Sequence, residues 1–299
     1  SDAAYGVLVS AACAAALIRF PRMGAEMKKS LQLFFWCGLS TLFWGIMFGG
    51  YFGDVINVVS RTFFGHEVGI PAAWFVPLND PMKMLVFSML FGTIHLFLGL
   101  AVKGYMCLRD RQYMDFVCDV VLWFCLLVGL ILILLPTELF ASISQMTFVF
   151  PGWVGQLAKV LAIAGAVGIL LMSGRSSKNP GVRIALGAYD LYNITGWVSD
   201  VLSYSRLLAL GLATGVIASV VNQMGSMLGG GIPGAILFIV VFFIGHTFNI
   251  GINLLGAYVH TCRLQYVEFF GKFYEGGGRA FHPFKENTKY VDIKEENIV

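Results

Sequence analysis

Read from the first residue, the chain alternates long apolar stretches with short polar ones, at a spacing that predicts membrane-spanning helices. Crossing a hydrocarbon core of about 30 Å takes about 20 mainly apolar residues. The candidate spans are Gly6–Ile18, Ser30–Gly53, Met84–Val102, Val117–Leu135, Trp153–Met172, Leu186–Leu228 and Ile232–Phe270. Backbone groups in lipid must be satisfied inside the element that carries them, so each stretch predicts a helix. The alternating segments of roughly 10 residues that a barrel requires are absent. The expected fold class is an all-α integral membrane protein, a polytopic helical bundle with two long tilted helices near the C-terminus. Leu186–Leu228 would run roughly 65 Å as a straight helix, twice the membrane, so it must tilt, protrude or break. Asn193-Ile194-Thr195-Gly196 is the expected break, and Gly229-Gly230-Gly231-Ile232-Pro233-Gly234 the expected end.

Polar residues interrupt this pattern at few places. Arg206 opens the run Leu207–Cys262, which holds no Asp, Glu, Lys or Arg, and Arg263 closes it. A charge at bilayer depth costs roughly 2.5–3.5 kcal/mol on insertion scales, so such an arginine points to function. On the last helix His246, Asn249, Asn253, Gly256, His260 and Arg263 recur at steps of three and four, within an arc of about 100°. That stripe must face protein or water. Hydrogen bonding between helices would explain single asparagines, whereas the whole stripe, ending on an arginine, favours an aqueous half-channel. The preceding helix carries Asp190, Asn193, Trp197, Asp200 and Tyr204 on one side and Ser199, Ser203 and Arg206 on another. Gln265 and Glu268 extend the polar set beyond Arg263. Other polar residues have plainer readings: Lys159 snorkels, His95 packs, and Asp115 and Asp119 suit the positive end of a helix. Asp54, Glu67 and Glu138 are weaker candidates for the mouth of an ion path.

Charge assigns the faces. Arg19, Arg22, Lys28 and Lys29 follow the first span; Lys103, Arg109 and Arg111 the third; Arg175, Lys178 and Arg183 the fifth. By the positive-inside rule these connections are cytoplasmic, and the tail with Lys272, Arg279, Lys285, Lys289 and Lys294 joins them. Composition agrees: 58% of residues are hydrophobic and 12% charged, with a mean hydropathy of +0.77, where soluble domains run near 25% charged. The net charge of +3 gives no reason to expect nucleic acid. The six cysteines form no C-x-x-C pair, so neither a metal nor a redox site is expected. There is no phosphate-binding loop, dinucleotide fingerprint or other cofactor motif, so this chain is not expected to hydrolyse ATP itself.

The string Ser203-Tyr204-Ser205-Arg206-Leu207-Leu208-Ala209-Leu210-Gly211-Leu212-Ala213 resembles the arginine-bearing helix of the membrane subunit a of V-type ATPases, called subunit I in bacteria. His260-Thr261-Cys262-Arg263-Leu264-Gln265-Tyr266-Val267-Glu268-Phe269-Phe270 resembles the last helix of the same family. The similarity extends from Asp2-Ala3-Ala4-Tyr5-Gly6 through Gly50-Tyr51-Phe52-Gly53-Asp54 to Gly276-Gly277-Gly278-Arg279-Ala280-Phe281-His282-Pro283-Phe284. It implies anchoring helices over 1–185, ion-path helices facing a rotor over 186–274, and a cytoplasmic tail over 275–299. It also implies an eight-helix domain of which seven crossings are visible, with Asp2–Gly6 the turn of a first hairpin. The implied partners are a rotor ring of c- or K-type subunits, each bearing a buried carboxylate, together with peripheral-stalk and central rotor subunits. The implied ion is H⁺ or Na⁺, and the implied location a bacterial cell membrane. Arg206 and Arg263 would carry the central role. Asp190, Asp200, Ser203, Tyr204, His246, Asn249, Asn253, His260, Gln265 and Glu268 would line the ion path. Two positions depart from eukaryotic relatives: Thr214 stands where they tend to carry a histidine, and Asn253 where they carry an acid.

Two other classes compete. A secondary transporter would usually show an internal repeat with paired broken helices, and no repeat relates the halves here. A purely structural anchor accounts for the spans but not for the two arginines.

Overall fold

A computed structural model describes residues 2–66, 68–175, 179–274, 276–279 and 281. Ser1, Glu67, Lys178, Ala280 and the tail from His282, with Lys285, Lys289, Lys294 and Val299, lie outside the described residues.

Helix α1 (Ala3–Arg19) starts on Asp2, whose Oδ1 accepts from the N–H groups of Ala4 and Tyr5. Helix α2 (Ala25–Phe48) stops at Gly49, in the left-handed conformation at φ 70° that glycine adopts without penalty. Next come α3 (Val55–Val59), widened by a π-helical turn over Ser60–Phe64, and α4 (Pro81–Arg109). Pro81 opens α4 where its missing N–H costs nothing. Helix α5 (Tyr113–Asp115), a π-helical turn (Phe116–Val121) and α6 (Leu122–Leu134) form one span, followed by the short α7 (Glu138–Ser144) and by α8 (Gly152–Met172). The C-terminal part comprises α9 (Pro180–Tyr192), α10 (Ile194–Ser203), α11 (Ser205–Gly225) and α12 (Ile232–Arg263). A π-helical turn (Leu264–Phe269) and a 3₁₀ turn (Phe270–Lys272) prolong α12.

Among the described residues six stretches are long and apolar enough to cross a membrane: Ala25–Phe48, Pro81–Arg109, Tyr113–Leu134, Gly152–Met172, Pro180–Gly225 and Ile232–Lys272. The 17 residues of α1 fall just short of that criterion, although about 17 is the lower limit for a spanning helix. No β-strand forms among the described residues. The all-α polytopic membrane bundle expected from the sequence is the fold observed.

Close approach at small residues organises the packing. A Cβ placed on Gly45 of α2 would lie 2.1 Å from the backbone nitrogen of Ala3, so α1 and α2 touch backbone to backbone. Small residues play this part in membrane interfaces, where burial in lipid offers no hydrophobic gain. Helices α6 and α8 pair similarly through Gly129, Ala158, Ala162 and Gly165. Helix α11 packs on α12, and α4 crosses α10 and α11. Large apolar side chains such as Trp36, Phe43, Ile163, Phe243 and Phe248 remain exposed on the outside, a surface suited to lipid.

The long stretch breaks at Asn193 as expected and again at Tyr204, which was not expected. At both sites ψ is near zero, and the N–H bonds to a carbonyl three residues back (Asp190 and Val201), tightening the turn. Asp115 and Asp119 also differ from the simple expectation of helix-end charges. Arg175, in the α8–α9 connection, donates from Nη2 to Asp115 and holds Nη1 3.6 Å from Asp119. Burial works to lower the Arg175 pKa, but the two carboxylates outweigh it and hold the guanidinium above its ordinary value.

Candidate functional site

Two polar layers are separated along α11 and α12, each completed by residues of the N-terminal half. The first surrounds the break at Tyr204. The Tyr204 ring is buried against Leu96 and Leu264, with Trp197, Val201 and Leu207 packed around them. It fits because residue 92 is glycine: a Cβ there would lie 2.5 Å from the ring. The Tyr204 hydroxyl bonds His95 Nδ1 at 2.7 Å, and His95 stacks on Phe269 with centroids 4.2 Å apart. His95 is thus a packing histidine with a defined partner.

Arg206 stands one residue into α11. Its Nη1 lies 3.8 Å from Glu268 Oε1, an ion pair beyond hydrogen-bond range. Ser203 Oγ donates to the same oxygen at 2.5 Å. Glu268 is 4% exposed and Arg206 26% exposed at the side chain. Arg206 Nη1 and Glu268 Oε2 are both buried without a hydrogen-bond partner. The π-helical turn over Leu264–Phe269 matters here. Its wider turn shifts every later residue relative to α12 and places Glu268 inward, opposite Arg206. Next to this pair Lys272 donates to Asp200 and sits 3.9 Å over the Trp197 ring. Asp190 accepts from Ser173 Oγ, and more distantly from Asn193 Nδ2 at 3.5 Å.

The second layer joins α1, the 51–54 turn, α11 and α12. His246 (3% exposed) and Asn249 (0% exposed) are enclosed. Tyr5 Oη meets His246 Nδ1 at 2.5 Å, and His246 Nε2 meets Asn222 Oδ1 at 3.0 Å. Asn222 Nδ2 donates to Asp54 Oδ1 at 3.0 Å and to the Phe52 carbonyl at 2.8 Å. Asn249 Nδ2 donates to Tyr5 Oη (2.8 Å) and to the Thr214 carbonyl (3.3 Å). Asn253 Nδ2 donates to Asn249 Oδ1 (2.5 Å) and the Asn249 carbonyl (2.7 Å), and Thr214 Oγ1 donates to Asn253 Oδ1 at 2.7 Å. Asp2 ties the layer down, accepting from the N–H groups of Phe52 (3.0 Å) and Gly53 (2.7 Å) as well as from its own helix.

The fold therefore brings Arg206, Ser203 and Glu268 into one cluster and His246, Asn249 and Asn253 into another. Arg263 is exposed and makes no ion pair among the described residues, while His260 and Gln265 are half-buried near it. Where the sequence reading expected water along the whole stripe, His246 and Asn249 are closed off and bonded to protein. Tyr5, Asn222, Thr214 and Lys272 were missed as partners, since each needs a contact between distant segments. Two cavities flank α11. One, of about 430 Å³, lies among α1, α2, α4, α11 and α12 and is mainly apolar, with Thr214 and Asn253 on its wall. The other, of about 400 Å³, lies under the loops around residues 49–57 and 69–79. It is lined by Tyr51, Asp54, Asn57 and Asn79 and reaches Gly211, Gly215 and Ser219 of α11.

A profile of the V-type ATPase 116kDa subunit family matches residues 193–286, which hold both arginines and Glu268. The chain is 36% identical over 317 residues to the A-type ATP synthase subunit I of Methanocaldococcus jannaschii, covering 97% of this chain and 43% of that protein. It is 30% identical over 299 residues to the A-type ATP synthase subunit I of Thermococcus kodakarensis, covering 99% and 42%. The V-type ATP synthase subunit I of Chlamydia trachomatis is 26% identical over 216 residues, covering 72% and 30%. The chain thus spans less than half the length of the curated relatives it matches. Those relatives are mostly archaeal, so the expectation of a bacterial membrane is not supported.

Proposed function

This chain belongs to the V-type ATPase 116kDa subunit family, and from that premise we propose that it is the stator membrane part of a rotary ATPase, carrying H⁺ or Na⁺ past a rotor ring. Arg206 is the central residue. The observation that carries this reading is a guanidinium in a membrane helix whose buried Nη1 makes no hydrogen bond, its side chain still 26% exposed. Arg206 shares its face of α11 with Ala209 and Ala213, both exposed. Such small side chains leave room for a moving partner surface. A carboxylate arriving on a ring subunit is attracted by this charge, which favours its ionised form and so expels the bound ion. Arginine does not deprotonate at accessible pH, so it also blocks proton leakage between the two sides.

The ion reaches the arginine by two separate routes over residues 186–274. The outer route uses the vestibule at Asp54, whose deepest α11 residue, Gly211, is five positions from Arg206, roughly 7.5 Å of helix rise. The inner route passes Asp190, Asp200, Ser203 and Tyr204 toward Arg263, His260, Gln265 and Glu268. His246, Asn249 and Asn253 form the dry wall between routes. Residues 1–185 anchor the assembly beside peripheral-stalk subunits, and the tail from residue 275 faces the cytoplasm with the central rotor.

The test is ATP-driven ion pumping by reconstituted complexes containing the full-length subunit. Arg206→Ala should abolish pumping while assembly with the ring survives, and Arg206→Lys should nearly do so, since an ammonium lacks the planar fork. Arg263→Lys should pump at close to the native rate, because that side chain is exposed and unpaired in the described structure. Near-normal pumping by Arg206→Ala rules the assignment out.

A further inference from the structure

On the reading of Arg206 just given, we propose that Glu268 is the resting counter-ion of that arginine: it holds the guanidinium between encounters with ring carboxylates and competes each of them off. The role rests on an unfinished ion pair. A carboxylate this enclosed, 4% exposed, is normally locked by a bidentate arginine or by enough donors to fill its lone pairs. Glu268 has one short bond, from Ser203, to Oε1. Oε2 has no partner, and Arg206 Nη1 approaches Oε1 only to 3.8 Å without bonding. The pair is close enough to attract and too far apart to close, so each member keeps free hydrogen-bonding capacity.

The two halves differ in mobility. Glu268 is carried by the π-helical turn, between buried Leu264 and a Phe269 ring stacked on His95. Arg206 reaches out on a long, partly exposed stem. The arginine swings, therefore, and the glutamate stays. The neighbouring cation does not interfere, because Lys272 is held by Asp200 and by the face of Trp197. Release of a ring carboxylate then becomes an exchange of one carboxylate for another at the same guanidinium. Without Glu268 that step is the bare rupture of a desolvated ion pair, which is slow. Glu268 acts through Arg206 and is a positioning residue.

The test compares ATP hydrolysis, ATP-driven pumping and passive ion leak in proteoliposomes containing complexes with Glu268→Gln, Glu268→Asp and Arg206→Ala. For Glu268→Gln, hydrolysis and pumping should fall together by about tenfold or more, the equivalent of one charge-assisted hydrogen bond in the rate-limiting step. Passive leak should stay at the native level because Arg206 still blocks the path. Glu268→Asp should restore part of both rates. Glu268→Gln with native pumping overturns the proposal. So does hydrolysis that continues while pumping is lost and leak rises, since that pattern marks a merely structural glutamate. Should Glu268→Gln not assemble, Glu268→Asp decides: matched losses of hydrolysis and pumping without leak support the proposal, and native rates or leak overturn it. Native pumping by Arg206→Ala is a different result, and it removes the proposed function as a whole.

Discussion

The hydroxyl of Tyr5 joins two helices through one atom, bonding His246 Nδ1 and receiving Asn249 Nδ2. Replacing Tyr5 with Phe keeps the ring and its edge contacts with Phe52 and His246. It leaves a histidine nitrogen and half of an asparagine amide, both on buried residues, short of a protein partner. Each buried polar group so orphaned costs about 1–3 kcal/mol. Tyr5→Phe should therefore lower the thermal midpoint of the purified full-length subunit by several degrees, and a midpoint equal to the native one would refute the role given to the layer. The stripe on α12 was legible beforehand because His246, Asn249 and Asn253 repeat at a helical period. Its partners were not, because nothing local in Asp2-Ala3-Ala4-Tyr5 or around Asn222 announces a contact across more than 150 positions.

At the level of elements, the apolar runs marked the spans with ends off by up to seven residues, and Asn193 marked a break. The second break at Tyr204 and the π-helical turn at Leu264–Phe269 had no such signature. Both are set by tertiary fit: the Tyr204 ring occupies the space that Gly92 leaves on α4, and Phe269 lies on His95. This fit makes a prediction about α4. Gly92→Ala puts a methyl 2.5 Å from the Tyr204 ring, and overpacking of this kind costs about 1–3 kcal/mol. Gly196→Ala, in α10 with nothing within 4 Å, adds a methyl without a clash. Thermal unfolding of the two variants should separate them clearly, with Gly92→Ala the less stable. Equal midpoints would show that the glycine does not shape the break.

Across the whole molecule, the basic connections predict that the α1–α2 turn at 20–24 and the loop at 68–80 face opposite sides of the bilayer. Single cysteines at Gly24 and Gly69, in a full-length subunit otherwise free of reactive thiols, should label from opposite faces of sealed vesicles. Labelling from the same face would invalidate the assigned orientation. The enclosed layer of Tyr5, His246 and the asparagines has a further property that belongs to the bundle as a unit. A backbone carbonyl fixes each amide: Phe52 for Asn222, Thr214 for Asn249, and Asn249 for Asn253. With those orientations set, His246 must carry its hydrogen on Nε2, facing Asn222 Oδ1, and Tyr5 must donate to Nδ1. Every donor from Thr214 to Asp54 then points the same way. A proton arriving at His246 would have to turn the Tyr5 hydroxyl against the Asn249 amide that already faces it, stranding a hydrogen where no acceptor waits. Amides do not pass protons on as hydroxyls and imidazoles do. Polar as it is, this row of side chains is arranged to fasten segments together, and the same bonds that fasten it oppose the passage of a proton.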